Sequence, residues 1–511
     1  AYNSVLQWPH FDALPSLRQN YHPIFHLERS RRPAFRTRPM SMCPYASPHE
    51  VDAVFDAFER GVNFWYPTVS RAQLAGMRRA LVVDPQGEVG LGPGEETERC
   101  LALLTMALGC ASQVIGGLAG GGREAEMAMG EGEWERRRAR REMGDRYFDC
   151  VMRMLHVAHT DVSPAATHCL LFVALYFAFL RRPLQAWEYI NAAAAKCLLL
   201  LSYPPTAEPH EETERIRRIF WSCYILESDY LAELSVPVSG VGRIESSVPL
   251  PGAYHTHSSP QEEELSSLYF LACISMRRLL NRVHQLLYAR DTGACESLDD
   301  VRFPVVVAEL DHQLEEWRDV LPTAFAFDVG FDGDTGGSKM NGAGRRTVSE
   351  HGGFLRQRYL TCRSVIYRPY LMWMLSGAGD GGRTGIGGRV GGPRVSEEVL
   401  RNCKACLDAC LLHILNLRGF AHTVLVDTWI CSLSMAAAML VLLAACRMPA
   451  LRSLIGPEVL LAGDHLTNLL EGWQRVSGDP SSPSVNQSVR VIRESARFIG
   501  EVYGRDSRPG Y

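Results

Sequence analysis

Lysine is almost missing from this chain. Of 53 basic residues, only Lys196, Lys339 and Lys404 are lysines, and 57 acidic residues bring the net charge to −4. Such a balance gives no general attraction to nucleic acid or to an anionic membrane. Any DNA contact must come from a local patch or from residues outside the chain. The excess of arginine, alanine and glycine reads as the bias of a GC-rich genome. Alternating strand patterns are scarce as well, which argues against a sheet-based fold. The first thirty residues hold no apolar signal-peptide core. The 15 cysteines lie mostly in apolar helical stretches, as at Cys169, Cys197, Cys223 and Cys431. Buried free thiols in a reducing, intracellular compartment are therefore expected, not a disulfide framework. The chain begins at Ala1 rather than methionine, which reads as a fragment, a processed form or a trimmed one.

Catalytic signatures are also lacking. There is no G-x-S-x-G elbow, H-E-x-x-H helix or Gly-Lys-Ser/Thr phosphate loop. Gly377, Gly379 and Gly382 satisfy G-x-G-x-x-G. They follow a helix instead of joining a strand to one, so a dinucleotide reading has no physical basis. Asp299-Asp300 has no third carboxylate at helical spacing. Cys403, Cys406 and Cys410 share one face of a helix with Leu400, Leu407, Ile414 and Leu417 in or beside it, which favours packing over metal binding. His156 and His159 near a helix end, with Asp161 and Ser163 as caps for the next, favour structure over a zinc site that would include His168. Trp429–Cys446 is long enough to cross a membrane only at the bare minimum, and Ser432 and Ser434 interrupt it. A core helix and no membrane are expected. No catalytic, cofactor-binding or metal-binding residue is expected, and effector-binding residues cannot be assigned.

What the chain does have is helical period. Ser259-Pro260-Gln261-Glu262 combines a cap, a proline at the first helical position and a glutamate three residues after the cap. An amphipathic run follows to about Tyr288. Between Pro304 and Pro322 an apolar stripe of Val306, Leu310, Leu314, Trp317 and Leu321 marks another helix. Further helices are expected at 48–61, 97–117, 133–158, 163–180, 183–201, 211–235, 354–376, 396–418, 422–446 and 487–503. Residues 1–45 lack period and read as a linker or arm, and 46–504 as one domain. Gly-rich stretches at 329–353 and 376–395 read as flexible loops. The basic run Trp134–Arg141 reads as a solvated helical face, with nuclear import or phosphate contact as the alternative. The fold class is all-α: one large helical bundle of a dozen or more helices with Gly-rich insertions.

The segment Arg217–Glu233 is the most informative. Phe220, Cys223, Glu227 and Tyr230/Leu231 recur on one stripe, and a carboxylate there needs an arginine partner or a polar pocket. Arg217, Arg218, Phe220, Trp221, Tyr224, Pro237, Leu250 and Pro251 together resemble the hallmark of the fungal-specific transcription factor domain, the middle homology region of binuclear zinc-cluster transcription factors. Glu227 stands where that pattern has Asp, and Ser228 where it has Arg. Asn63–Pro67, Leu101–Cys110, Ala186–Tyr189 with Ala192–Leu200, Leu310–Pro322 and Leu360–Leu371 with Arg368-Pro369 resemble further parts of it in order, over about 48–446. The resemblance implies a regulatory domain of an RNA polymerase II transcription regulator, acting in the nucleus and not an enzyme. It implies homodimers, co-regulators or transcriptional machinery as partners, and a small-molecule effector. DNA binding and zinc would belong to an N-terminal six-cysteine cluster. Only Cys43 precedes residue 100, so no cofactor is expected in this chain. The alternatives are an all-α enzyme, or a clusterless modulator that pairs with an intact zinc-cluster protein.

Overall fold

Short polar caps decide where the helices begin. Ser47 accepts from the Glu50 amide while the Glu50 carboxylate accepts from the Ser47 amide, and Ser70 and Gln73 repeat the exchange. Ser163, Ser349 and Ser396 each cap a first turn through the hydroxyl. These contacts satisfy amides that a helix start leaves orphaned.

The computed structural model describes residues 5–32, 43–84, 94–116, 131–204, 209–289, 302–330, 349–376, 395–418, 420, 424–477 and 482–506. The helices are α1 (Pro15–Gln19), α2 (Ile24–Arg29), α3 (Pro48–Phe58), α4 (Arg71–Val83), α5 (Glu95–Gly116) and α6 (Glu131–Thr160). Then come α7 (Pro164–Phe179), α8 (Pro183–Ser202), α9 (His210–Leu231), α10 (Val241–Ile244), α11 (Pro260–Leu287) and α12 (Arg302–Asp319). The last six are α13 (Glu350–Leu375), α14 (Glu397–Leu415), α15 (Thr428–Cys446), α16 (Pro449–Arg452), α17 (Val459–Ser477) and α18 (Pro483–Asp506). The fold is all-α, and no strand occurs among the described residues.

Each half of the bundle is built on a helix that is apolar all round. In α7 every residue from Ala166 to Phe179 is buried, and α15 is buried from Met435 to Cys446. Such helices have no solvent face to offer and must sit at a centre. Helices α5, α8 and α9 pack on α7, while α14 and α18 pack on α15. The pairing of α9 with α11, and of α11 with α13, joins the halves into one continuous core. Gly109 lets α5 approach α3 so closely that a Cβ there would run into the Val54 carbonyl. Two helices, Glu95–Ile115 and Thr428–Cys446, are long and apolar enough to cross a membrane, but most of each is buried inside the bundle.

The structure alters several expected boundaries. Helices α4 and α17 are additions to the elements read from sequence. The loop expected from 329 ends by Ser349, because Glu350–Gly353 already form the first turn of α13. The helix expected from 422 begins at Thr428. Within the expected arm, residues 5–32 form short helices with Val5, Leu6, Phe11, Leu14, Leu17 and Ile24 buried. They lie against α18, where His22 and Gln487 exchange two hydrogen bonds of 2.9 Å.

Candidate functional site

The two motif arginines of α9 have different surroundings. Arg217 is half-buried and pairs with Glu214 at 2.6 Å, whereas Arg218 is fully buried. The Arg218 guanidinium donates to Glu214 at 3.0 Å, to the Pro67 carbonyl at 3.0 Å and to the Gly252 carbonyl at 2.5 Å. Trp221, one turn on, donates to the Pro249 carbonyl at 2.9 Å. The motif helix thus holds two loops, 63–69 and 248–252, by their main-chain oxygens. Glu214 also accepts from the Gly252 amide at 2.7 Å, so its buried charge is fully engaged.

The first of those loops leaves a π-helical turn, Glu59–Asn63, which ends on the Phe64 amide bonded to the Glu59 carbonyl at 2.9 Å. One extra residue in the turn delivers Asn63 inward. Its Oδ1 accepts from the amides of Thr68 and Val69, and its Nδ2 donates to the carbonyls of Val69 and Thr256. His168 closes the group: Nε2 meets the Thr68 hydroxyl at 2.8 Å and Nδ1 accepts from Arg215 at 3.1 Å. Burial and then the Arg215 charge hold this imidazole well below its ordinary pKa. It is a structural neutral base. His159 gives its carbonyl to Lys196 and packs its ring against Tyr189, and His156, His159, Asp161 and His168 form no metal-holding group.

The far end of α9 opens on a cavity of about 760 Å³, within the usual range for small-molecule sites. Its walls come from α9, the 238–243 segment, α11, α13, α14 and α15. Glu227 lies in this polar pocket and accepts from the Ser239 amide, not from an arginine. Ser228 accepts from Asn281 at 3.3 Å. The guanidinium groups here come from other helices: Arg277 of α11 and Arg358 of α13 both pair with Asp229. Arg358 also faces Asp427 at 3.8 Å. Burial pushes the Asp427 carboxyl up to about 6 despite that arginine, and its Oδ1 has no hydrogen-bond partner. His413 contacts Ser434 at 3.1 Å and Gln357 at 3.3 Å. Burial, aided by Arg368, lowers its pKa to about 4.

Proline shapes one wall. Pro369 lies inside α13 and has no amide to offer the Val365 carbonyl one turn earlier. The Tyr288 hydroxyl takes that carbonyl at 2.6 Å. The Arg-Pro pair recognised in sequence therefore sits at the cavity, with Arg368 and Tyr288 both lining it.

The other candidates separate. Cys403, Cys406 and Cys410 are buried, and the Cys406 thiol donates to the Ser364 carbonyl at 3.3 Å. Among the described residues no three His, Cys, Asp or Glu groups could hold a metal ion. The run at 134–141 is not uniformly solvated: Arg137 is buried and donates to the Val114 carbonyl at 2.9 Å. Asp299-Asp300 and Gly377, Gly379 and Gly382 lie outside the described residues. Sequence reading missed Asp229, Arg277, Arg358, His413 and Asp427. The available signal was a charged or imidazole side chain within an apolar run, as in Leu411-Leu412-His413-Ile414.

Residues 155–319 match the family model for the "Fungal specific transcription factor domain". The match runs from the end of α6 to the end of α12. It contains the Arg218 hub and the α9 and α11 walls, but it is narrower than the resemblance read over 48–446. A similar protein is "Putative transcription factor ecdB" of Aspergillus rugulosus, 24% identical over 382 residues, with 68% of this chain and 57% of that protein covered. The alignment thus spans little more than half of that relative. No solved structure gives a significant match. Over residues 155–319 this chain is thus similar to fungal specific transcription factor domains.

Proposed function

We propose that this chain is the regulatory region of a fungal RNA polymerase II transcription regulator, acting in the nucleus, and that the cavity behind α9 is its effector site. The observation that carries the reading is the placement of that cavity: the helix bearing the family motif at one end forms a cavity wall at the other. A ligand filling the cavity would touch helices of both halves of the bundle, so it can bias their packing by its differential contacts. DNA recognition belongs, in this reading, to a zinc cluster outside these 511 residues. Homodimerisation and co-regulator contact are its expected partner functions, and the chain is not an enzyme.

Fusing the chain to a foreign DNA-binding domain in a fungal cell should change reporter output with nutrient condition. Ala438→Trp, which places an indole in the cavity, should abolish the dependence while leaving the fusion nuclear and abundant. A well-expressed nuclear fusion that is silent under every condition would sink the regulatory reading. One that responds equally with Ala438→Trp would sink the cavity's part in it.

A further inference from the structure

The charges of the cavity do not balance pair by pair. Arg277 and Arg358 are both engaged by Asp229, and Arg358 by Asp427 as well. Arg368 makes no hydrogen bond or ion pair among the described residues, and its Nε is buried without a partner. Tyr288, Cys410, Cys406 and Glu233 act on it electrostatically, with Glu233 the weakest of the four. Arg368 is half-buried, and a guanidinium with restricted access to water and no direct counter-ion is costly. The backbone around it is fixed by the bond from Tyr288 to Val365. Met276, Leu280, Val365, Ile430, Ala437 and Ala438 give the cavity an apolar part of its wall. His413 does not add a competing charge, because it stays neutral at ordinary pH.

Resting on the effector-cavity reading, we propose that the cavity takes an organic anion with one acidic head and an apolar body, and that Arg368 is the residue that binds the head. A planar guanidinium meets a carboxylate or sulfonate with two parallel hydrogen bonds, which fixes the head while the apolar walls take the body. The ligand's head supplies the hydrogen-bonding partner that Arg368 lacks.

A matched pair of dyes tests this on the whole chain: 8-anilinonaphthalene-1-sulfonate, and N-phenyl-1-naphthylamine, which has the same rings without the sulfonate. Both should bind saturably, and Ala438→Trp should remove both signals. Arg368→Met should weaken the sulfonate dye by about 30-fold or more, the loss expected when one side of a desolvated charge pair is removed. It should leave the neutral dye within about twofold. Arg368→Lys should fall between, keeping the charge but losing the fork. If Arg368→Met changes the two dyes equally, or neither, the anion proposal fails while the cavity reading stands. If both dyes bind Ala438→Trp as well as the parent, they bind elsewhere and the cavity reading falls with the proposal. Circular dichroism and the thermal midpoint of each variant separate lost binding from lost folding. An Arg368→Met chain that does not fold passes the decision to Arg368→Lys, which must then weaken the sulfonate dye selectively.

Discussion

His413 shows how one buried side chain can tie stability to pH. Its native pKa is about 4, against about 6.5 when the chain is unfolded. Above pH 6.5 both states hold a neutral imidazole and the difference is silent. As pH falls below 6.5 the unfolded chain takes up a proton that the native one refuses, so stability is lost, most of it by pH 4. Between pH 7 and 5 this amounts to about 2 kcal/mol. His413→Gln keeps an amide able to face Gln357 and Ser434 but cannot titrate. Urea unfolding at the two pH values should show the gap between parent and variant shrinking by about 2 kcal/mol at pH 5. A gap that stays constant would mean that the imidazole is already charged or exposed in the native protein.

At the scale of the element, α13 and α11 are joined through a missing amide. Tyr288→Phe leaves the Val365 carbonyl without its donor, which should cost about 1–3 kcal/mol. Pro369→Ala restores an intrahelical donor, so in that background Tyr288→Phe should cost much less. A double-mutant cycle by urea unfolding should show a coupling of about 1 kcal/mol, and strict additivity would contradict the account. Sequence showed the proline and the helix around it, since a single residue carries that signal. It could not show the tyrosine, 81 positions earlier, because the bond is made only after two distant helices pack. The same division holds elsewhere. Helix α7 was legible from its unbroken apolar run and its Ser163-Pro164 start. Helix α4, short and carrying Arg71, Arg78 and Arg79, offered a weaker stripe and was missed. The Asp229–Arg277–Arg358 cluster draws on three separate segments, each of which alone resembles an ordinary charged position on a helix.

Taken whole, the molecule is closed by its own ends. Glu28 of α2 is buried and accepts from the Ser482 hydroxyl at 2.6 Å and from the Ser484 amide at 3.2 Å. Ser484 in turn accepts from the Trp429 indole at 2.8 Å. This places the early segment, the start of α18 and the central helix α15 in one buried network. Glu28→Ala strips the acceptor from several buried donors and should destabilise the closure by about 3 kcal/mol or more. Brief trypsin treatment should then cut at Arg18, Arg29 or Arg31 about tenfold faster or more, with the remaining helical body staying intact. Unchanged cleavage would show that the apolar side chains of residues 5–32 and the His22–Gln487 bonds hold the segment without Glu28.

The choice of acceptors around Arg218 and Trp221 has an evolutionary consequence. Two of the three groups that Arg218 binds, and the one that Trp221 binds, are peptide carbonyls, which every amino acid supplies. Apart from Asn63 and Thr68, whose side chains make bonds of their own, the held loops can therefore drift in side chain so long as their backbone path survives. The arginine and the indole cannot drift, because no other residue supplies the same reach and donors. Diverged descendants would share a short motif on one helix and little else, and an overall identity of 24% to a similar protein is compatible with a conserved architecture.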